Sequence, residues 1–255
     1  MKELKWDVML ETFYISNRNQ QHNLMDFSLP ELLTKEVSSE FLNIYGQGIK
    51  ATNQNVTALY IAGWLGYLWG GLHYLYTHDR KIEVNDIRIQ VYQKPKNKCW
   101  INFYFEEYKV AAHSDLGTEA EGFCRQYLTP IMTELADVTT ESLLNLWHQV
   151  YHSLYWVEHR IKRVSISKEL EESFLKGIEK LLKDTHPSLF NLKIHPFQKK
   201  LKFVDNPWDK SDPLPLKPSC CLAYQTEDQH KCYTCPRMKP EVREAKKLII
   251  LNRGV

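Results

Sequence analysis

The hydrophobic positions of this chain change period along its length. Residues Ala51 to His78 hold no charged side chain if histidine is neutral. Their apolar positions lie on all sides of a helix rather than along one stripe, which predicts a buried central helix. About 20 such residues would also suffice to cross a membrane. Asn53, Gln54, Asn55, Thr57, His73 and Thr77 interrupt the run, and its apolar core, Val56–Tyr76, is barely long enough. The expectation is therefore a domain helix and no stable membrane insertion. Gly63, Gly66, Gly70 and Gly71 predict close packing by something large, with Trp64 and Trp69 from neighbouring turns as candidates.

The period then drops to two. Ile87, Ile89 and Val91 alternate with polar neighbours, as do Ile101, Phe103 and Phe105, around the basic turn Lys94-Pro95-Lys96-Asn97-Lys98. This is the pattern of an antiparallel hairpin with one apolar face. Cys99 falls at its edge as a bystander.

From residue 116 to 184 the period is helical. Leu143, Trp147, Val150, Tyr151, Leu154, Val157 and Ile161 share a face, with Thr140 as the expected N-cap. Leu170, Phe174, Ile178 and Leu181 share another, with Glu169, Glu171 and Glu172 at its start and an end near His186-Pro187. In the first fifty residues Trp6, Leu10, Phe13 and Tyr14 fit one helix face, and Ser28-Leu29-Pro30-Glu31 reads as a helix start. Residues 187–219, with Pro187, Pro196, Pro207, Pro213, Pro215 and Pro218, predict an extended connector outside the core. Beyond Pro236, Arg237, Lys239, Arg243, Lys246 and Lys247 face Glu241 and Glu244 in a short terminal helix.

The fold class that follows is α+β: a mostly helical body with a small antiparallel sheet or hairpin over 1–204. A proline-rich connector and cysteine-bearing C-terminal segment, 205–255, packs on that body. The chain is 43% hydrophobic, enough for a packed core, and its formal net charge is only +2, which lacks the basic excess of a nucleic-acid-binding protein. Met1-Lys2-Glu3-Leu4-Lys5-Trp6-Asp7 is not followed by the apolar stretch of a secretory signal, so a cytoplasmic protein is expected. No G-x-G-x-x-G follows a strand, so a nicotinamide cofactor is not expected.

Two constellations tempt and fail. His113-Ser114-Asp115 are adjacent and cannot adopt triad geometry. His148 and His152 have metal-ligand spacing, but Gln149, Val150 and Tyr151 between them supply no carboxylate; with His159 they read as partly buried or surface histidines.

The cysteines carry the chemistry. Four of six, Cys220, Cys221, Cys232 and Cys235, cluster near the C-terminus. A reducing compartment disfavours disulfides. A thioredoxin-type pair at Cys232 and Cys235 needs a preceding buried strand, which Gln225–Lys231 does not resemble. A Cys₄ zinc site usually draws on two C-x₂₋₄-C hairpins, and only the second half has that spacing. Adjacent side chains diverge in an extended chain, so Cys220 and Cys221 could share one ion only across a sharp turn. Thiolate suits zinc and iron–sulfur alike; spacing leans toward a two-iron cluster.

Ser219-Cys220-Cys221-Leu222-Ala223-Tyr224, ten residues between the pairs, then Cys232-x-x-Cys235-Pro236-Arg237 closely resembles the C-terminal motif of the FhuF-like ferric siderophore reductases. The Leu144-x-x-Trp147 helix and the Ala58–Tyr76 segment sit where that family has such elements. The resemblance implies a [2Fe-2S] cluster with Cys220, Cys221, Cys232 and Cys235 as ligands. It implies an oxidoreductase of iron transport that passes one electron to Fe³⁺ in a siderophore complex and releases Fe²⁺ for assimilation. A ferric siderophore or other ferric chelate is then one partner, and a separate electron donor, ferredoxin-like or a reductase, another. Backbone amides of 222–224 and 233–237 are expected donors to sulfur. A basic rim of Arg237 and Lys239 with Lys199, Lys200 and Lys202 is expected to attract the anionic chelate. The competing class is a zinc-stapled binding or scaffold protein without redox activity.

Overall fold

The computed structural model describes residues 4–94, 98–105, 109–110, 116–164, 166–226 and 230–252. Helix α1 (Trp6–Phe13) stops at Tyr14, which takes the left-handed conformation (φ 60°) and returns its N–H to the carbonyls of Leu10 and Met9. The predicted face holds for Phe13, which is fully buried, but Leu10 is 44% exposed. Strands β1 (Ile15–Ser16) and β2 (Asn23–Ser28) follow. Glu31 accepts both the N–H and the hydroxyl of Ser28 at 2.6 Å, so the predicted helix start is a capping box. It opens a 3₁₀ turn, Leu29–Leu33, and α2 (Lys35–Gly48) begins afterwards, capped by the Thr34 hydroxyl.

Helix α3 (Gln54–Thr77) is the predicted central helix, buried along most of its length and capped by the Asn53 side chain. Among the described residues no helix is long and apolar enough to cross a membrane. Contrary to the expectation from the sequence, the α3 glycines do not make room for Trp64 or Trp69. They admit a second helix, α6 (Leu143–Ile161). At Gly66 a methyl group would lie 2.9 Å from Ser153 Cβ and 3.0 Å from the Val150 carbonyl oxygen. Gly71 is the exception and faces Phe13 and Ile15.

Short strand β3 (Arg80–Lys81) leads to the predicted hairpin, β4 (Arg88–Lys94) and β5 (Lys98–Tyr104); β3 pairs with β6 (Lys109–Val110). Ile89 stands opposite Phe103 and Val91 opposite Ile101, which keeps all four on the buried face. The sheet order is β1-β5-β4-β2, and β1 runs parallel to β5, so the sheet is mixed at one edge. Cys99 is not at an open edge: it is buried against Gly48 of α2. The turn residues 95–97 and His113-Ser114-Asp115 lie outside the described residues.

Helix α4 (Leu116–Phe123), a π turn (Cys124–Leu128), α5 (Thr129–Val138), α6 (Leu143–Ile161) and α7 (Lys168–Lys183) make up the helical half. Ser142, not Thr140, caps α6, because its hydroxyl reaches the Asn145 N–H; the Thr140 hydroxyl bonds Asn55 instead. The α7 face is buried as predicted.

The proline-rich connector departs from expectation. Its first part enters the core: Phe190 and Phe197 are buried, and the Trp147 indole donates to the Phe190 carbonyl at 3.1 Å. Proline fixed the backbone but did not prevent the aromatic residues between prolines from packing. Only afterwards does the chain reach the surface, at β7 (Phe203–Val204); the buried β8 (Leu214–Pro215) then leads to the cysteine loop and α8 (Pro240–Asn252), which buries no residue.

Candidate metal centre

The cysteine loop is held from both ends of the core. Gln149 on α6 donates to the Ser219 hydroxyl at 2.9 Å, one residue before Cys220. The Thr52 N–H donates to the Gln225 carbonyl at 2.9 Å, and the Asn53 amide to its side chain at 3.0 Å. The entry of α3 and the middle of α6 therefore fix the first pair. Between these anchors Leu222 adopts φ 54°, a left-handed conformation uncommon outside glycine, followed by a 3₁₀ turn at Ala223–Gln225. That is the sharp turn that an adjacent cysteine pair requires.

The second pair sits in turns. The Cys235 N–H donates to the Cys232 carbonyl at 2.9 Å, and the Lys217 N–H donates to the Thr234 carbonyl at 3.0 Å, joining the two halves. Arg243 of α8 closes the arrangement. Its guanidinium donates to the carbonyls of Tyr233 (3.1 Å), Cys235 (2.7 Å) and Met238 (3.3 Å).

The four sulfurs form two cross-loop pairs. Cys220 Sγ lies 3.7 Å from Cys235 Sγ, and Cys221 hydrogen-bonds Cys232. All six cysteines are free thiols; 3.7 Å is far beyond a disulfide bond of about 2.05 Å. Two thiolates on one tetrahedral ion, with metal–sulfur bonds of about 2.3 Å, stand about 3.8 Å apart, so the Cys220–Cys235 spacing fits a shared metal. Among the described residues no three ligating side chains converge on a single point. The arrangement is two plus two.

The surroundings stabilise negative sulfur. Lys217 Nζ donates to Cys221 Sγ at 3.1 Å. The Cys221 thiol is brought down to about 5 by the Cys232 hydrogen bond, with the Lys217 ammonium and the Ala223 N–H adding to the effect against burial. The same bond, together with burial, raises Cys232. Burial pushes Cys220 up to about 11, partly offset by the Leu222 N–H. Burial alone would lower Lys217, but the charges at Cys221 and Cys232 outweigh it and hold the ammonium protonated. The expected backbone donors are thus found at Leu222 and Ala223. Within 233–237 the Cys235 N–H goes to the Cys232 carbonyl instead.

Lys217 was missed by sequence reasoning. A single lysine between Leu216 and Pro218 carries no motif, and only the folded loop brings it to Cys221. Of the predicted basic rim, Lys199 donates to the Pro218 carbonyl beside the loop. Lys200, Lys202, Arg237 and Lys239 are exposed and form no ion pair among the described residues. His148 is buried, and His152 Nε2 accepts the Trp156 indole N–H at 3.2 Å.

Beside Cys221 lies a cavity of about 380 Å³, walled by α2, α3, α6, the start of β5 and the cysteine loop. Cys221 is the member of the four that lines it.

This loop defines a metal–thiolate protein. Residues 219–237 match the family model of the FhuF 2Fe-2S C-terminal domain, with Cys220, Cys221, Cys232 and Cys235 on its motif. The cofactor of the segment is a [2Fe-2S] cluster. No curated protein and no solved structure matches the chain.

Proposed function

We propose that this protein is a cytoplasmic ferric siderophore reductase. The observation that carries the reading is the matched loop itself: four thiols in two close pairs, with the Lys217 ammonium on one of them. Cys220 and Cys235 would hold one iron and Cys221 and Cys232 the other. When bound, the cluster supplies electrons singly, which is the chemistry that Fe³⁺ to Fe²⁺ requires. The chain's own residues position and bias this centre. Leu222 and Ala223 donate N–H groups to sulfur, Lys217 offsets negative charge, and Arg243 keeps the second pair in place. The exposed Lys200, Lys202, Arg237 and Lys239, with Lys199, draw in an anionic ferric chelate. A separate protein donor, ferredoxin-like or a reductase, returns the electron. The body over 1–204 and the segment over 205–255 divide the labour between scaffold and centre.

The test is anaerobic purification followed by visible spectra before and after dithionite, with iron, zinc and sulfide counted. A brown protein with about two iron and two sulfide that bleaches on reduction, and is reoxidised by a ferric chelate with release of Fe²⁺, is the expected result. A colourless protein with one zinc after anaerobic reconstitution overturns the reading in favour of a zinc-stapled scaffold. A brown protein that no ferric chelate reoxidises overturns the substrate.

A further inference from the structure

We propose that the cavity beside Cys221 is a binding site for a planar phenolic ring that carries a negative charge. The chelating arm of an aromatic ferric complex and a free aromatic acid share this chemistry. Its use in iron reduction rests on the function proposed above; the binding itself does not.

The walls specify an aromatic guest. Tyr60, Trp64 and Tyr67 project from α3, and Trp100 from β5. Trp64 meets Trp100 edge-on at 5.8 Å (62°) and is tilted against Tyr67 at 6.3 Å (56°). Rings at these spacings favour a further ring edge-to-face or offset. The volume, about 380 Å³, is near the lower end of the small-molecule range of about 300–1,000 Å³. It suits one or two rings rather than a whole hexadentate chelate.

The polar groups specify the charge. Several walls have used their donors internally. The Trp64 indole N–H is taken by the Tyr45 hydroxyl at 2.7 Å, the Ser153 hydroxyl by the Gly63 carbonyl at 2.8 Å, and the Gln149 amide by Ser219. Lys217 is different. Its ammonium carries three N–H groups, and among the described residues Cys221 Sγ is its hydrogen-bond acceptor. Among the described residues no aspartate, glutamate or arginine lines the cavity. An aromatic box would by itself accept a cation, but the polar group that this wall offers is an ammonium with N–H donors beyond the one given to Cys221, so a phenolate or carboxylate oxygen is favoured as their acceptor and an ammonium, which brings only donors, is not. Because Lys217 touches both the cavity and Cys221, a ring bound to it lies next to a sulfur of the centre.

The test uses the anaerobic, cluster-loaded protein and three probes: 2,3-dihydroxybenzoate, its ferric complex, and the ferric complex of an aliphatic trihydroxamate. Calorimetry and tryptophan fluorescence report binding, and Fe²⁺ release reports reduction. The expected result is saturable binding of free dihydroxybenzoate with quenching, weakened at least tenfold in Lys217→Met and at least tenfold for dopamine, a catechol bearing an ammonium. Equal affinity for the free acid and its ferric complex identifies the ring as the recognised group. Tighter binding of the complex identifies the chelating arm. Absence of binding by the unaltered protein overturns the proposal, as does equal affinity for dopamine. The two readings fail separately. Reduction of the trihydroxamate with no dihydroxybenzoate binding leaves the reductase standing without this site. Dihydroxybenzoate binding with no chelate reduced leaves the site standing without the reductase.

Discussion

Lys217 places its ammonium 3.1 Å from the sulfur of Cys221, and the backbone of the same residue donates to the Thr234 carbonyl in the other half of the loop. One residue thus joins the two cysteine pairs through its main chain and supplies a positive charge to one of them. Adding an electron makes a thiolate-ligated centre more negative, and a neighbouring cation favours that state. Lys217→Met is expected to lower the reduction potential by on the order of 60 mV, a tenfold change in a one-electron equilibrium. Redox titration followed in the visible spectrum checks this; an unchanged or raised potential would remove Lys217 from the role.

Ligation separates the cysteines into four and two. Alanine at Cys220, Cys221, Cys232 or Cys235 is expected to lower iron and sulfide to a small fraction of the unaltered content. Cys99→Ala and Cys124→Ala, whose thiols lie buried in the body against Gly48 and Thr129, are expected to keep both. Metal and sulfide analysis after identical reconstitution decides it.

Arg243 contacts three carbonyls around the second pair, and hydrogen bonds from a charged group are worth about 1.5–3 kcal/mol each. Arg243→Ala should leave the body folded, since α8 buries no residue, yet release iron to a chelator several-fold faster. Bleaching rates in excess chelator measure this, with circular dichroism to confirm the fold.

Gly66 lies where α3 and α6 touch. Gly66→Leu forces side-chain carbon into Ser153 and the Val150 backbone, and overpacking of this kind costs about 1–3 kcal/mol. Urea unfolding should show the loss. A midpoint equal to that of the unaltered protein would mean that α6 can shift without penalty.

His73 is fully buried against Phe174 and Gly177, and burial takes its pKa down to about 4 from 6.5. The unfolded chain therefore binds a proton before the folded one does. The contribution of His73 is complete above pH 6.5 and is lost as pH falls toward 4, amounting to about 3 kcal/mol at 1.36 kcal/mol per pH unit. Urea midpoints at pH 7 and 4.5 should diverge less in His73→Leu than in the unaltered protein. Identical pH slopes in the two would refute the assignment.

The sequence by itself determined the elements whose cause is local or periodic. The uncharged run became α3, the alternation around residues 87–105 became the hairpin, and the spacing Leu170, Phe174, Ile178, Leu181 became the buried face of α7. It also determined the four thiols, because ligand type and spacing are written in the chain. Tertiary structure decided the partners. Gly63, Gly66 and Gly70 of α3 meet α6, residues some ninety positions away, and no local pattern announces which helix will fill a groove. Phe190 and Phe197 enter the core from a stretch whose prolines describe only its backbone. Lys217 reaches Cys221 because Leu222 turns left-handed and the Thr234 carbonyl takes the Lys217 N–H. An aromatic cavity then forms where α3, β5 and the loop converge. Periodicity records which face of an element avoids water; the charge and shape that meet a given sulfur are fixed by contacts between segments distant in sequence.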